Sequence, residues 1–193
     1  MNSIELFIDQ VVNYMVSFGP LGGFVLIVLE SFLSPLPLGV MVGLNMLSFG
    51  NIPGFILSYV ANIIGCILMF SLCRYFFKDR YIKWFKEENQ IRIKKWMNKL
   101  SHIKFTTLAV LFAIPLTPAF LVNIAGGLSD ISLKKYLTAL IVGKPAMLLF
   151  YGYIAVSFVD SLKDPRVLIK IAVLVTITYV ISKIIEKIVK VEN

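Results

Sequence analysis

Residues 115–127, PLTPAFLVNIAGG, sit in one of the most apolar parts of the chain, yet they hold two prolines, an asparagine and a Gly-Gly pair. Each of these weakens a membrane-spanning helix. Proline lacks an N–H and its ring clashes with the preceding turn, and glycine costs about 1 kcal/mol against alanine in a helix interior. The flanking arms, Phe105–Ile114 and Ala119–Leu128, have ten residues each. At about 1.5 Å per residue such an arm reaches about 15 Å, half of a hydrocarbon core of about 30 Å.

The same arrangement occurs earlier, where Leu21–Leu33 is followed by SPLP and then by Leu38–Gly50. The pattern predicts two re-entrant helical hairpins, residues 21–50 and 105–128, with tips near the midplane. Such backbone is tolerated at membrane depth only when packed in protein or lining a wet cavity. Three other runs, Ile52–Cys73, Tyr136–Phe158 and Val167–Ile185, are long enough to cross outright. Residues 1–20 are expected as an interfacial amphipathic helix. Glu5 and Asp9 stand where a cleavable leader needs basic residues, so none is expected.

The totals agree with a membrane fold. Of 193 residues, 58% are apolar and 16% charged, against about a quarter charged in soluble domains; mean hydropathy is +0.84. Between Arg74 and Lys104 lie ten basic and three acidic residues, a net +7 of the chain's +8. Short basic loops stay in the cytoplasm, which places residues 74–104 and the C-terminal Lys183, Lys187 and Lys190 inside. Tyr81, Trp84 and Phe85, and then Ile93, Trp96, Met97 and Leu100, form apolar faces that suit a broken amphipathic helix in the headgroup layer. Nucleic-acid binding would need a folded module that this loop does not supply. Cys66 and Cys73, seven apart on one helix face, read as buried thiols. With a single histidine, no metal site, cofactor or catalytic triad is expected.

With the basic loop inside, one hairpin opens outside and the other inside. The expected fold is therefore an all-α integral membrane protein of one domain. It is an inverted repeat of two re-entrant hairpins, each followed by a transmembrane helix, with a further transmembrane helix at the C-terminus. The alternative, a pair of Pro-kinked spanning helices, would move the N-terminus inside without a basic residue to hold it there. The halves share a glycine in the second arm (Gly43, Gly126), an aromatic (Phe55, Tyr136) and a glycine in the spanning helix (Gly65, Gly143). Transporters with this layout place a site at the midplane between broken helices.

Candidate site residues follow. Glu30, five residues before Pro35, is an ionisable group near a tip and so a candidate for function. Lys144 lies about 12 Å into its spanning run, where it either snorkels to the headgroups or partners a phosphate or Glu30. Asn45 and Asn123 can bond a headgroup or tie one hairpin to the other, the tie being favoured. Arg74 reads as an interfacial anchor. Pro35 and Pro37 shape one tip and Pro115 and Pro118 the other, with Gly126 permitting close approach. Each second arm begins at its tip, so orphan N–H groups and the positive helix end point at the midplane.

The segments ESFLSPLPLGVMVGLNMLSFG and FAIPLTPAFLVNIAGGLSDISLKKYL resemble the DedA/VTT-domain (SNARE-associated Golgi protein) family, over about residues 20–160, and its vesicle-tethering branch most. The resemblance implies opposed re-entrant hairpins in a bacterial plasma membrane and translocation of lipid between leaflets, of undecaprenyl phosphate or of phospholipids. Many bacterial members carry a second acidic residue after the first tip and arginines around the second. Here those places hold Leu38 or Gly39, and Phe112 and Pro118, so backbone N–H groups would have to meet the anion. A non-enzymatic lipid flippase or scramblase is the expected function. The rivals are a proton- or cation-coupled solute transporter and a non-transporting scaffold. Membrane lipids with anionic headgroups are the expected partners, and a homo-oligomer is compatible with the sequence.

Overall fold

The computed structural model describes residues 3–30, 38–78, 97–98, 101–115, 119–161, 164 and 166–191, and every regular element among them is helical. These are α1 (Ser3–Glu30), α2 (Leu38–Phe49), α3 (Asn51–Leu72) running on into a π turn (Cys73–Phe77), α4 (Phe105–Ala113), α5 (Ala119–Leu128), α6 (Leu133–Ser161) and α7 (Arg166–Val191). Helix α1 is broken at Gly19, whose φ of 67° is followed by Pro20. Only glycine takes that conformation cheaply, and proline removes the next backbone donor. The break falls where the sequence places the junction between the interfacial helix and the first arm.

Among the described residues, three helices are long and apolar enough to cross a membrane: Leu6–Glu30, Asn51–Phe77 and Leu133–Ser161. The first of these runs across the Gly19 break. Helix α7 encloses the run Val167–Ile185. Helices α2, α4 and α5 have 12, 9 and 10 residues, about 18, 14 and 15 Å. Helix α4 ends just before Pro115 and α5 begins just after Pro118, as the proline spacing requires; residues 31–37 and 116–118, with Pro35, Pro37 and Pro118, lie outside the described residues. So does most of the basic segment, including Trp84 and Trp96.

The helices of the two halves pack alike in part, although α2 lies closely on both α1 and α3 whereas α5 touches α4 only slightly. In the first half α1 lies on α2 and α3; in the second α4 lies on α5 and α6. Across the halves, α2 packs on α6 and α5 packs on α3, while α3 and α6 touch each other. Helices α2 and α5 thus each rest on the long helix from the other half of the chain. One core cluster joins Phe70, Leu108, Phe112, Tyr136 and Leu140; another joins Ile27, Val42, Met46, Met147 and Leu148.

Polarity is arranged inside out. Ile56, Val60, Ile64 and Leu68 of α3, and Val173, Ile177 and Val180 of α7, are exposed, whereas Asn45, Ser58, Asn62, Asn123 and Lys144 are buried. That is the distribution a lipid solvent demands. Gly143 lets α6 approach α4 closely: a Cβ there would lie 2.3 Å from the Ala109 carbonyl oxygen. Gly143→Ala is expected to force α4 and α6 apart at a cost of about 1–3 kcal/mol, seen as a lower melting temperature in detergent.

Candidate functional site

Lys144 is the pivot. Its side chain is 1% exposed, and the partner of its Nζ among the described residues is the Met147 thioether, at 3.9 Å. Its charge acts on the carboxylate of Glu30, half-buried at the end of α1. Glu30 in turn acts on the Tyr151 hydroxyl, which donates to the Pro115 carbonyl. Residues 144, 147 and 151 follow an i, i+3, i+7 spacing on one face of α6. A cation and a phenol on α6 thus lie within electrostatic reach of the carboxylate at the end of α1, and the phenol is bonded to the Pro115 carbonyl just after α4.

Pro145 helps to build this place. It cannot donate to the carbonyl of Ile141, four residues earlier. The Tyr59 hydroxyl of α3 donates to that carbonyl instead, at 3.1 Å. The proline beside Lys144 thus creates a backbone acceptor that ties the two long helices together.

The asparagines act as ties. Asn123 Nδ2 donates to Cys66 Sγ at 3.3 Å and its Oδ1 accepts from the Tyr136 hydroxyl at 2.8 Å. That hydroxyl also lies 3.3 Å from the Cys66 carbonyl. The Tyr136 ring stacks on Phe70 at 4.1 Å and meets Phe112 edge-on at 5.5 Å. Asn45 Nδ2 donates to Ser58 Oγ at 3.0 Å. Both ends of the Asn123 amide are used inside the protein, joining α5 to α3 and α6. Tyr136→Phe is expected to destabilise by about 0.6–1.7 kcal/mol, the usual worth of a hydrogen bond between membrane helices, measured as thermal unfolding in detergent. Both cysteines are buried free thiols.

Arg74 departs from its expected role as an interfacial anchor. It leaves the π turn after α3 and reaches the C-terminus of α5. Nε donates to the Gly127 carbonyl at 2.9 Å, and Nη2 lies 3.0, 2.8 and 2.8 Å from the carbonyls of Gly126, Ser129 and Ile131. The guanidinium also lies 4.6 Å from the centre of the Phe70 ring. A helix C-terminus leaves carbonyls without intrahelical partners and carries negative partial charge, so a planar multi-donor cation suits it. Lys78 pairs with Asp130 beside it.

Of the residues singled out from sequence, Glu30, Lys144 and Pro115 come together. Asn123 and Gly126 lie elsewhere, in the α3–α5–α6 contact; a Cβ on Gly126 would meet the Tyr136 and Phe70 rings at 3.3 and 3.5 Å. The roles of Tyr151, Tyr59 and Arg74 do not follow from the sequence reading. The available signal for Tyr151 is its position seven residues after Lys144; that for Tyr59 is the helix-interior Pro145.

The model of the VTT domain family matches residues 36–157, from the segment before α2 to near the end of α6. The membrane protein YhjE of Bacillus subtilis (strain 168) is 31% identical over 169 residues, covering 87% of this chain and 81% of YhjE. The protein YqeD of the same organism is 27% identical over 129 residues, 66% of this chain and 60% of YqeD. No solved structure matches.

Proposed function

Since the chain belongs to the VTT domain family of multi-pass membrane proteins, we propose that it carries phosphate-bearing lipids between the leaflets of a bacterial plasma membrane. The observation that carries this reading is the buried Lys144 ammonium within electrostatic reach of Glu30 from the other half of the chain. A cation held away from water is costly unless an anion compensates it. Glu30 is the carboxylate within electrostatic reach of it, without a direct ion pair between the two, and a lipid phosphate competes with Glu30 for the same ammonium. Exchange between the two anions lets a headgroup be taken up and released without leaving Lys144 bare.

The short helices support the rest. Helices α2, α4 and α5 are each too short to cross a core of about 30 Å, in keeping with re-entrant hairpins whose tips meet near mid-membrane. Helices α2 and α5 start afresh after the proline pairs, so their N-terminal N–H groups add donors for an anion. The basic segment 74–104 and the C-terminus lie on the cytoplasmic side.

Leaflet exchange of fluorescent phosphatidic acid in proteoliposomes tests the reading. The protein is expected to speed exchange over protein-free liposomes. Glu30→Gln removes the competitor for the headgroup, so release slows and exchange falls about tenfold, equal to about 1.4 kcal/mol on the barrier. A rate in folded wild-type protein no faster than in empty liposomes would refute it. A solute carrier built on the same architecture would instead move an aqueous substrate with no leaflet exchange.

A further inference from the structure

An apolar groove of about 310 Å³ runs between α2, α6 and the N-terminal part of α1. Its walls include Ile8, Val40, Leu44, Ile154 and Phe158, and Tyr151 is the one polar side chain among its lining residues. Since the Tyr151 hydroxyl is bonded to the Pro115 carbonyl, the groove receives hydrocarbon and ring surface along its length. The floor is closed where α2 meets α6: a Cβ on Gly43 would lie 2.2 Å from Ala155 Cβ, and one on Gly39 would lie 3.1 Å from the Tyr151 ring. From Tyr151 to Val159 the groove follows α6 for about 12 Å, close to the depth of one leaflet, about 15 Å.

We infer that this groove is the seat of one hydrocarbon chain of a lipid whose anionic headgroup lies at Lys144. The inference rests on the proposed transport of phosphate-bearing lipid and adds a tail subsite to it. Charge complementarity selects the occupant. The groove ends at Tyr151, two turns along the same helix face from Lys144, whose ammonium has a thioether as its hydrogen-bond partner. A small soluble anion would match the cation and leave the groove empty. A neutral diacyl lipid would match the groove and bring nothing to the cation. A lipid with a negative headgroup and a long chain matches both.

The test uses the full chain in nanodiscs with two photoactivatable probes, phosphatidic acid and diacylglycerol, each carrying a diazirine in the same acyl chain. Labelled residues are mapped by mass spectrometry. Phosphatidic acid is expected to label Val40, Leu44, Ile154 or Phe158 about tenfold more than Ile169 and Val173 on the exposed face of α7, the margin one charge-assisted hydrogen bond provides. Lys144→Met is expected to reduce groove labelling to the diacylglycerol level. Ile154→Trp fills the groove and is expected to abolish labelling there; Val40→Trp, at an exposed wall position, serves if the former fails to fold. Equal labelling of groove and α7, or groove labelling indifferent to Lys144→Met, overturns the inference. Absent groove labelling with normal leaflet exchange overturns the tail subsite and leaves transport standing. Selective labelling without exchange upholds the subsite and overturns the transport reading.

Discussion

Replacing Arg74 with alanine is expected to lower the melting temperature of the detergent-solubilised protein by about 6–12 °C, on the scale of about 2–4 °C per kcal/mol for a chain of this size. The guanidinium reaches four carbonyls around the end of α5 and stacks on Phe70. A hydrogen bond to a charged group contributes about 1.5–3 kcal/mol, and a buried acceptor left bare costs a similar amount. A loss of about 3 kcal/mol is thus a conservative sum for a partly buried cluster. Arg74→Lys keeps the charge but offers one compact ammonium where a planar fork served several acceptors, so it is expected to restore less than half of the loss. An unchanged melting temperature in Arg74→Ala would mean that water replaces the guanidinium at little cost.

Lys144→Met is expected to do the reverse: hold or raise the melting temperature while lowering leaflet exchange of anionic lipid at least about tenfold, one charge-assisted hydrogen bond's worth of binding. Methionine fills a similar volume and removes a buried charge, whose replacement by apolar groups is often neutral or stabilising. Among the described residues, the Nζ hydrogen-bond partner that folding would lose is a thioether at 3.9 Å, a weak acceptor. A residue kept for stability would show the opposite pair of results. The two substitutions therefore separate a clamp from a binding group within one protein.

The chain's punctuation is legible in its residues alone. The proline pairs at 35/37 and 115/118 mark the places where α1 gives way to α2 and α4 to α5, because proline within a helix forfeits a hydrogen bond and clashes with the turn before it. The two halves are legible faintly, through glycines at roughly matching intervals; their reciprocal packing depends on which faces meet, and spacing alone does not settle that. Glu30 and Lys144 stand out because ionisable groups are rare at such depth. Depth alone leaves Lys144 free to snorkel, and its burial depends on how the other helices pack against α6. Arg74 is deceptive because the sequence puts it at a helix end beside a basic loop. Its carbonyl partners lie more than fifty residues away, and the π turn that carries it leaves no mark in residue spacing. Tyr151 resembles many interfacial aromatics in sequence, and only the fold sets the Pro115 carbonyl opposite its hydroxyl.

The most direct measurement compares wild-type protein and Lys144→Met, both confirmed folded, in the same proteoliposome assay of phosphatidic acid exchange. The expected result is exchange well above protein-free liposomes for the wild type and close to that baseline for the variant. Equal rates for the two proteins, or a wild-type rate at the protein-free level, would contradict a buried lysine that meets a lipid phosphate between the halves.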